Sequence, residues 1–439
     1  MKLLKKVCVR PGSRGPKIRC STTDALVQFP TSSAFIFDRT LDHDALEASL
    51  ALVLRDYPLF AGSFKREGGQ LFLDCDERGV QFEVVQREET LDRVLRSLLT
   101  SERKRLAPKI RFGMGKRSGV LDVRISQFRG GGSVLAVCWY HAVGDWLTLM
   151  HFMKAWSAAT TGHAIEAPVI VLDRHAYTQE HCHEVQSSAG MRLVGFGELA
   201  KCGLFLALQA FREQTLMFHF SDQETADMRD DLQQRAASKL SMNETLVAHL
   251  LSVINQADPR VDPRQLSFSV NWRRRGEIPD MTLGNFIDTV SVPCDQAAKP
   301  EQLAVRLRRA AIDWKPRYPS VTEFLQQSGG ASKWYRLMPT DMDFLRGTAL
   351  SNLRGCGISE LTFGMQAPSL VLPSPVQPVR FPWFAMINEG YENQGTQVMF
   401  SMPARVAKRL REPQLLAELH RYRGAPPAGT TQKRLPWLM

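Results

Sequence analysis

The chain has 439 residues, 44% hydrophobic and 23% charged, with 56 Lys and Arg against 45 Asp and Glu and a formal charge of +11. That apolar content is enough for two globular cores and excludes a disordered chain. Apolar runs such as 203–211 and 133–140 fall short of the roughly 20 residues a bilayer-spanning helix needs, so no transmembrane segment is expected. Lysines interrupt residues 1–9 where a signal peptide needs an unbroken apolar core, which points to a cytoplasmic chain. Eight scattered cysteines without a CxxC pair read as reduced thiols, with no disulfide framework and no metal site. Much of the positive excess lies in Lys2, Lys5, Lys6, Arg10, Arg14, Lys17 and Arg19, ahead of the first acidic residue, Asp24. Elsewhere the basic residues are dispersed and no nucleic-acid motif accompanies them, so nucleic acid is excluded as a partner. A solvated edge segment, or a diffuse field for a small phosphorylated ligand, fits this pattern better.

In chain order, the periodicity predicts a helix over 46–55 and a strand over 70–73, then a β-rich run over 133–140. A polar, His-rich segment over 173–188 begins the crossover between two blocks. Ser241 with Glu244 reads as a capping box opening a helix within 240–257, followed by an alternating strand over 266–270 and an amphipathic helix over 301–314. Pro368, Pro373, Pro375, Pro378 and Pro382 mark a loop or edge strand. The class is mixed α and β, and the organisation expected is 1–185, a crossover over 186–215, and 216–439.

The most informative stretch is Gly130 to Met150. A β run ends at His141, a short turn carries Gly144, and Asp145 is a good N-cap for the helix that follows. An imidazole at such a junction projects from rigid elements, as a general base requires. Spacing alone is weak support, because a His-x-x-x-acid match is expected about once by chance in this composition, and His43 with Glu47 is another. His175, His181, Cys182 and His183 have metal-ligand chemistry but no closed tetrahedral spacing, and read as a solvated loop.

Several further segments resemble, in order and spacing, the plant-type BAHD acyltransferase family, whose His-x-x-x-Asp-Gly motif follows a glycine turn and a strand. Ser21-Thr-Thr-Asp24 is similar to the family's early Ser-x-x-Asp, and Tyr57-Pro-Leu-Phe-Ala-Gly62 to its Tyr-Pro-Leu-Ala-Gly. The strand region Leu73 to Cys75 with Gly79 to Phe82 also fits. Trp272-Arg273-Arg274-Arg275 with Gly284-Asn285 resembles the Gly-Arg-x-Arg and Phe-Gly-Asn region. Ser351 through Thr362-Phe363-Gly364 to Pro368 resembles the Thr-Ser-Trp to Asp-Phe-Gly-Trp-Gly segment.

The resemblance implies two similar-sized α/β domains, each a mixed sheet flanked by helices, chloramphenicol-acetyltransferase-like, with a channel between them. It implies His141 as general base in a direct transfer from acyl-CoA, a co-substrate rather than a cofactor, to a small alcohol, phenol or amine. It also implies a structural Asp145 paired with an arginine, Arg273 first and Arg275 as the alternative. Ser351 becomes a candidate oxyanion contact, and Gly284, Asn285, Thr362, Phe363 and Gly364 form a donor-side motif; a monomer is expected. Several positions depart from the family pattern: Trp146 replaces a glycine, Leu353 a tryptophan and Thr362 an aspartate, and Met365 and Gln366 also differ. A catalytically impaired paralogue that binds acyl thioesters or a protein partner is the alternative. Tyr140 before His141 argues against condensation domains and wax-ester synthases, which carry paired histidines.

Overall fold

The computed structural model describes all residues except 99–102, 110, 112, 114, 117, 183–189, 259–263, 274, 276, 295–297, 317, 330, 340–346, 374–382, 425–434 and 436–437. Among the described residues two six-stranded sheets dominate. The first runs in space Lys2–Val9, Val80–Arg87, Leu121–Phe128, Ser133–Tyr140, Pro30–Phe37, Leu370–Pro373. The second runs Glu213–Phe220, Thr396–Pro403, Phe384–Glu389, Thr348–Asn352, Arg264–Asn271, Ile287–Cys294. Each mixes parallel and antiparallel neighbours, giving the mixed α/β class expected from the sequence.

Ser133–Tyr140 is apolar almost throughout because both of its faces are covered. Leu135 and Val137 join Phe35, Phe37, Val123 and Ile125 in a core with the helices His43–Asp56 and Trp146–Thr160. Their alternates, Val134 and Ala136 with Ala34 and Ile36, fall in a different cluster, as the two-residue period of a strand dictates. That cluster is shared, for it also holds Met217, Met386 and Met399 of the second sheet. Their own neighbours, Phe218, Ile387 and Phe400, turn onto a third core with the helices Asp222–Ala236, Met242–Ala257 and Pro300–Ile312. One apolar layer therefore ties the two sheets together.

The strand Leu370–Pro373 reaches back from the far half of the sequence to pair antiparallel with Pro30–Phe37 at the edge of the first sheet. Leu370 and Leu372 enter the shared layer, while Val371 packs on the helix side. Pro375, Pro378 and Pro382 lie outside the described residues.

Local signals set the helix starts. The carboxylate of Asp42 accepts from the N–H groups of Asp44 and Ala45, so the helix read over 46–55 begins at His43. Ser241 and Glu244 form the reciprocal capping box. The segment read as a solvated loop from 173 is in part a helix, Arg174–Glu180, because Asp173 caps the N–H of Ala176 at 2.9 Å. Among the described residues no helix is long and apolar enough to cross a membrane.

Truncating Leu372 to Ala in the shared layer is expected to cost about 2–5 kcal/mol. Urea unfolding followed by tryptophan fluorescence and by far-ultraviolet dichroism checks this, and both probes should shift together because the layer belongs to both sheets.

Candidate active site

His141 is the first residue beyond Ser133–Tyr140 and opens a single 3-10 turn, His141–Val143. Its N–H donates to the carbonyl of Phe29 at 2.8 Å, and the Phe29 ring lies 5.3 Å from the imidazole. Gly144 follows, where a Cβ would stand 2.4 Å from Thr148 Cγ2, so the turn has room only for glycine. Asp145 then caps the helix Trp146–Thr160 by accepting from the Thr148 N–H at 3.0 Å.

The Asp145 carboxylate turns to an arginine. Arg273 grips it in two-pronged fashion, Nη1 to Oδ2 at 2.7 Å and Nη2 to Oδ1 at 3.1 Å, and the Phe286 N–H donates to Oδ2 at 3.1 Å. Arg273 has no exposed surface, and its remaining hydrogens go to the carbonyls of Thr282 and Gly284, to Thr148 Oγ1 and to Asn271 Oδ1. Burial pushes the Asp145 carboxyl up, but the Arg273 charge and the N–H donors outweigh it and hold the group below its ordinary value. Arg275 points elsewhere, stacking 5.8 Å over Trp314 and donating to the Ala311 carbonyl.

Gly284 and Asn285, grouped in the sequence with the donor-side motif, lie at Asp145 and His141. Gly284 adopts φ +151°, and a Cβ there would meet Phe286 at 3.0 Å and Arg174 at 3.2 Å. Asn285 determines the protonation pattern of His141. Its Nδ2 donates to two pure acceptors, the His141 carbonyl at 2.9 Å and Asp24 Oδ1 at 2.8 Å. Its Oδ1 therefore faces His141 Nδ1, 3.0 Å away, and must accept a hydrogen from it. The neutral ring then carries its proton on Nδ1 and leaves the Nε2 lone pair open. Asp24 is itself fixed, forming a capping box with Ser21 and an ion pair with Arg174, whose Nη1 also donates to the Val143 carbonyl.

Burial lowers the pKa of His141 below its ordinary value; its hydrogen bonds and the Asp145 charge offset this only in part. The residue nevertheless remains partly exposed. Such a group is neutral at pH 7 and able to take a proton.

The other candidates divide. Trp146, the first residue of the helix, stacks on Phe35 and donates its indole N–H to the Leu353 carbonyl at 3.1 Å. The indole absent at 353 is thus matched by one at 146, and the two positions touch. Ser351 lies two residues earlier, on the strand Thr348–Asn352, and is partly buried. Phe363 packs edge-on against Phe37 and Trp156 in the helix-side core and its N–H donates to Ser157 Oγ, while Gly364 is exposed and Thr362 partly buried. Beyond Leu353, Asn352 and Arg354 line a cavity of about 360 Å³ with Met242, Asn243, Leu246 and Glu389. His175 bonds the Tyr318 hydroxyl at 3.0 Å, His181 the Tyr177 carbonyl, and His183 lies outside the described residues. No cluster of three metal-ligating side chains occurs among the described residues.

Sequence reasoning missed Asp24, Thr148 and Arg174 as parts of the site. The Ser21–Asp24 pair is legible only as a segment that resembles the family's Ser-x-x-Asp, and its reach across 261 positions to Asn285 has no local signal. Thr148 was visible only as a helix residue.

Residues 17–311 match the model described as the Transferase family. A hydroxycinnamoyltransferase of Narcissus pseudonarcissus is 30% identical over 174 residues, 37% of this chain and 40% of its own length. Hydroxycinnamoyltransferase 2 of Oryza sativa subsp. japonica is 25% identical over 385 residues, 76% of this chain and 86% of its own. The crystal structure of F. graminearum TRI101 complexed with coenzyme A and T-2 mycotoxin superposes with a TM-score of 0.73 at 16% identity, covering 92% of this chain and 98% of that one. At that identity the likeness is one of fold. The chain spans less than half the length of the first of these relatives and most of the second. The family match across 17–311, on a fold and a His141–Asp145 junction of this kind, makes the chain a member of the transferase family, the BAHD acyltransferases.

Proposed function

We propose that this enzyme moves an acyl group from an acyl-CoA thioester to a small hydroxyl acceptor, with His141 as general base. The observation that carries the reading is the Asn285 contact, which leaves Nε2 as the open nitrogen of a neutral ring. Nε2 takes the hydroxyl proton as the oxygen attacks the thioester carbonyl. The carbon–oxygen bond forms, the carbon–sulfur bond breaks, and the proton passes to the departing CoA thiolate, with no covalent enzyme intermediate. Asp145 and Arg273 position the turn and touch no reacting atom. Ser351 is the candidate donor to the oxyanion, on the strand whose end meets Trp146.

The donor is proposed to occupy the cavity beyond Leu353. Its wall includes the first residues of the helix Met242–Ala257, whose N-terminal dipole favours anions, and the Arg354 side chain. Glu389 also lines it, but one of its oxygens is engaged by the Gly355 N–H at 2.8 Å. The catalytic unit divides into 1–185 and 216–439, joined through 186–215. An amine acceptor would use the same base, and the assay separates the two.

Release of free thiol from a panel of acyl-CoAs, with pooled hydroxyl and amine acceptors, tests the reading. His141→Ala should lower acceptor-dependent turnover by about 10²–10⁴-fold; unchanged turnover would remove His141 as base, and no turnover by folded wild type would favour a binding role. Because only the neutral ring accepts a proton, and burial lowers its pKa, kcat/KM should stay flat at neutral pH. It should fall on an acid limb centred below about 6.5; a limb centred above that value contradicts the assignment. Arg273→Ala leaves the Asp145 carboxylate buried without its cation and should cost about 3–5 kcal/mol, read from thermal or urea unfolding.

A further inference from the structure

The helix Phe196–Arg212 has no buried side chain among its described residues. Phe196, Leu204 and Leu208 are 68%, 64% and 52% exposed, unusual for three large apolar side chains on one helix. At 3.6 residues per turn they fall on an arc of about 120°, with Ala200 and Ala207 between them and Lys201 bordering it. The helix extends for about 25 Å and hangs from the two-stranded ribbon Met191–Leu193 and Leu337–Pro339. The ribbon itself carries the exposed Leu193, and the turn leading into it the half-exposed Tyr335. Charge around the arc is mainly positive. Lys201 and Arg336 border it, while Glu198, on the opposite side of the helix, is paired with Arg192. The Arg336 guanidinium lies 4.6 Å from the Phe196 ring centroid.

We propose that this helix docks the enzyme on an anionic lipid surface, lying in the interface with the Phe196–Leu204–Leu208 arc among the acyl chains and the basic rim against the headgroups. An apolar arc edged by lysine and arginine, with an aromatic residue beside it, is the composition of an interfacial helix. A second copy fits less well, because two chains of net charge +11 repel where a lipid surface attracts each cation by about 1 kcal/mol. The helix belongs to neither sheet and takes no part in the His141 network, so docking leaves the chemistry of that site untouched.

Co-sedimentation of the full chain with vesicles of phosphatidylcholine alone, and of equal phosphatidylcholine and phosphatidylserine, tests this. Wild type should pellet with the phosphatidylserine vesicles and be released by salt. Leu204→Glu with Leu208→Glu should weaken binding by roughly a hundredfold, and Lys201→Glu should weaken it several-fold on phosphatidylserine vesicles only. These exposed substitutions should leave thiol release and the dichroism spectrum unchanged, so failure here is separable from failure of the acyl-transfer reading. Three results overturn the proposal: no pelleting of wild type, equal pelleting of the double variant, or a wild-type dimer in solution that the double variant converts to monomer.

Discussion

Arg273 holds a full positive charge where no water reaches it, and every hydrogen it can donate is used. Its partners come from a helix N-cap, Asp145, from Thr148 one turn inside that helix, from the Asn271 side-chain oxygen, and from the carbonyls of Thr282 and Gly284. A buried pair of this kind adds little net stability over an apolar filling, because desolvation offsets the attraction. What it does supply is position. Asp145 starts the helix and ends the turn that bears His141, while Thr282 and Gly284 precede Asn285. Fixing these against one guanidinium sets the imidazole and the amide that orients it in one register.

The amide is the second half of the same device. Asn285 reaches His141 from a segment 144 positions away, and Asp24 reaches Asn285 from the opposite end of the chain. Two oxygens, the His141 carbonyl and Asp24 Oδ1, and one amide thus decide which nitrogen of the ring is free. Because the oxygens accept only, the arrangement has a single consistent hydrogen pattern.

Much of this could be read from the chain because its signals are local. Asp145 after Gly144 announces a cap, and Ser241 with Glu244 announces another, since capping depends on residues three apart. The continuous apolar run at 133–140 announces a strand covered on both faces. Non-local partners were legible only through resemblance. Arg273 and Arg275 are equivalent by composition, and only the fold shows that Arg273 turns inward while Arg275 lies over Trp314. Asn285 looked like part of a remote motif because nothing in Gly284-Asn285 reveals what faces it. The segment after Asp173 looked like a loop since its polar residues hide a short capped helix.

The edge strand Leu370–Pro373 has a consequence for synthesis. Pro30–Phe37 leaves the ribosome early, paired on one side by Ser133–Tyr140, yet its other edge is closed only by residues made more than two hundred positions later. At ordinary elongation rates that interval is tens of seconds. Through it the nascent first sheet presents an unpaired, apolar β edge, a template for wrong pairing. The Leu370–Pro373 strand thus makes the first half dependent on the last for its protection, and places the hazardous step in assembly before the site can exist.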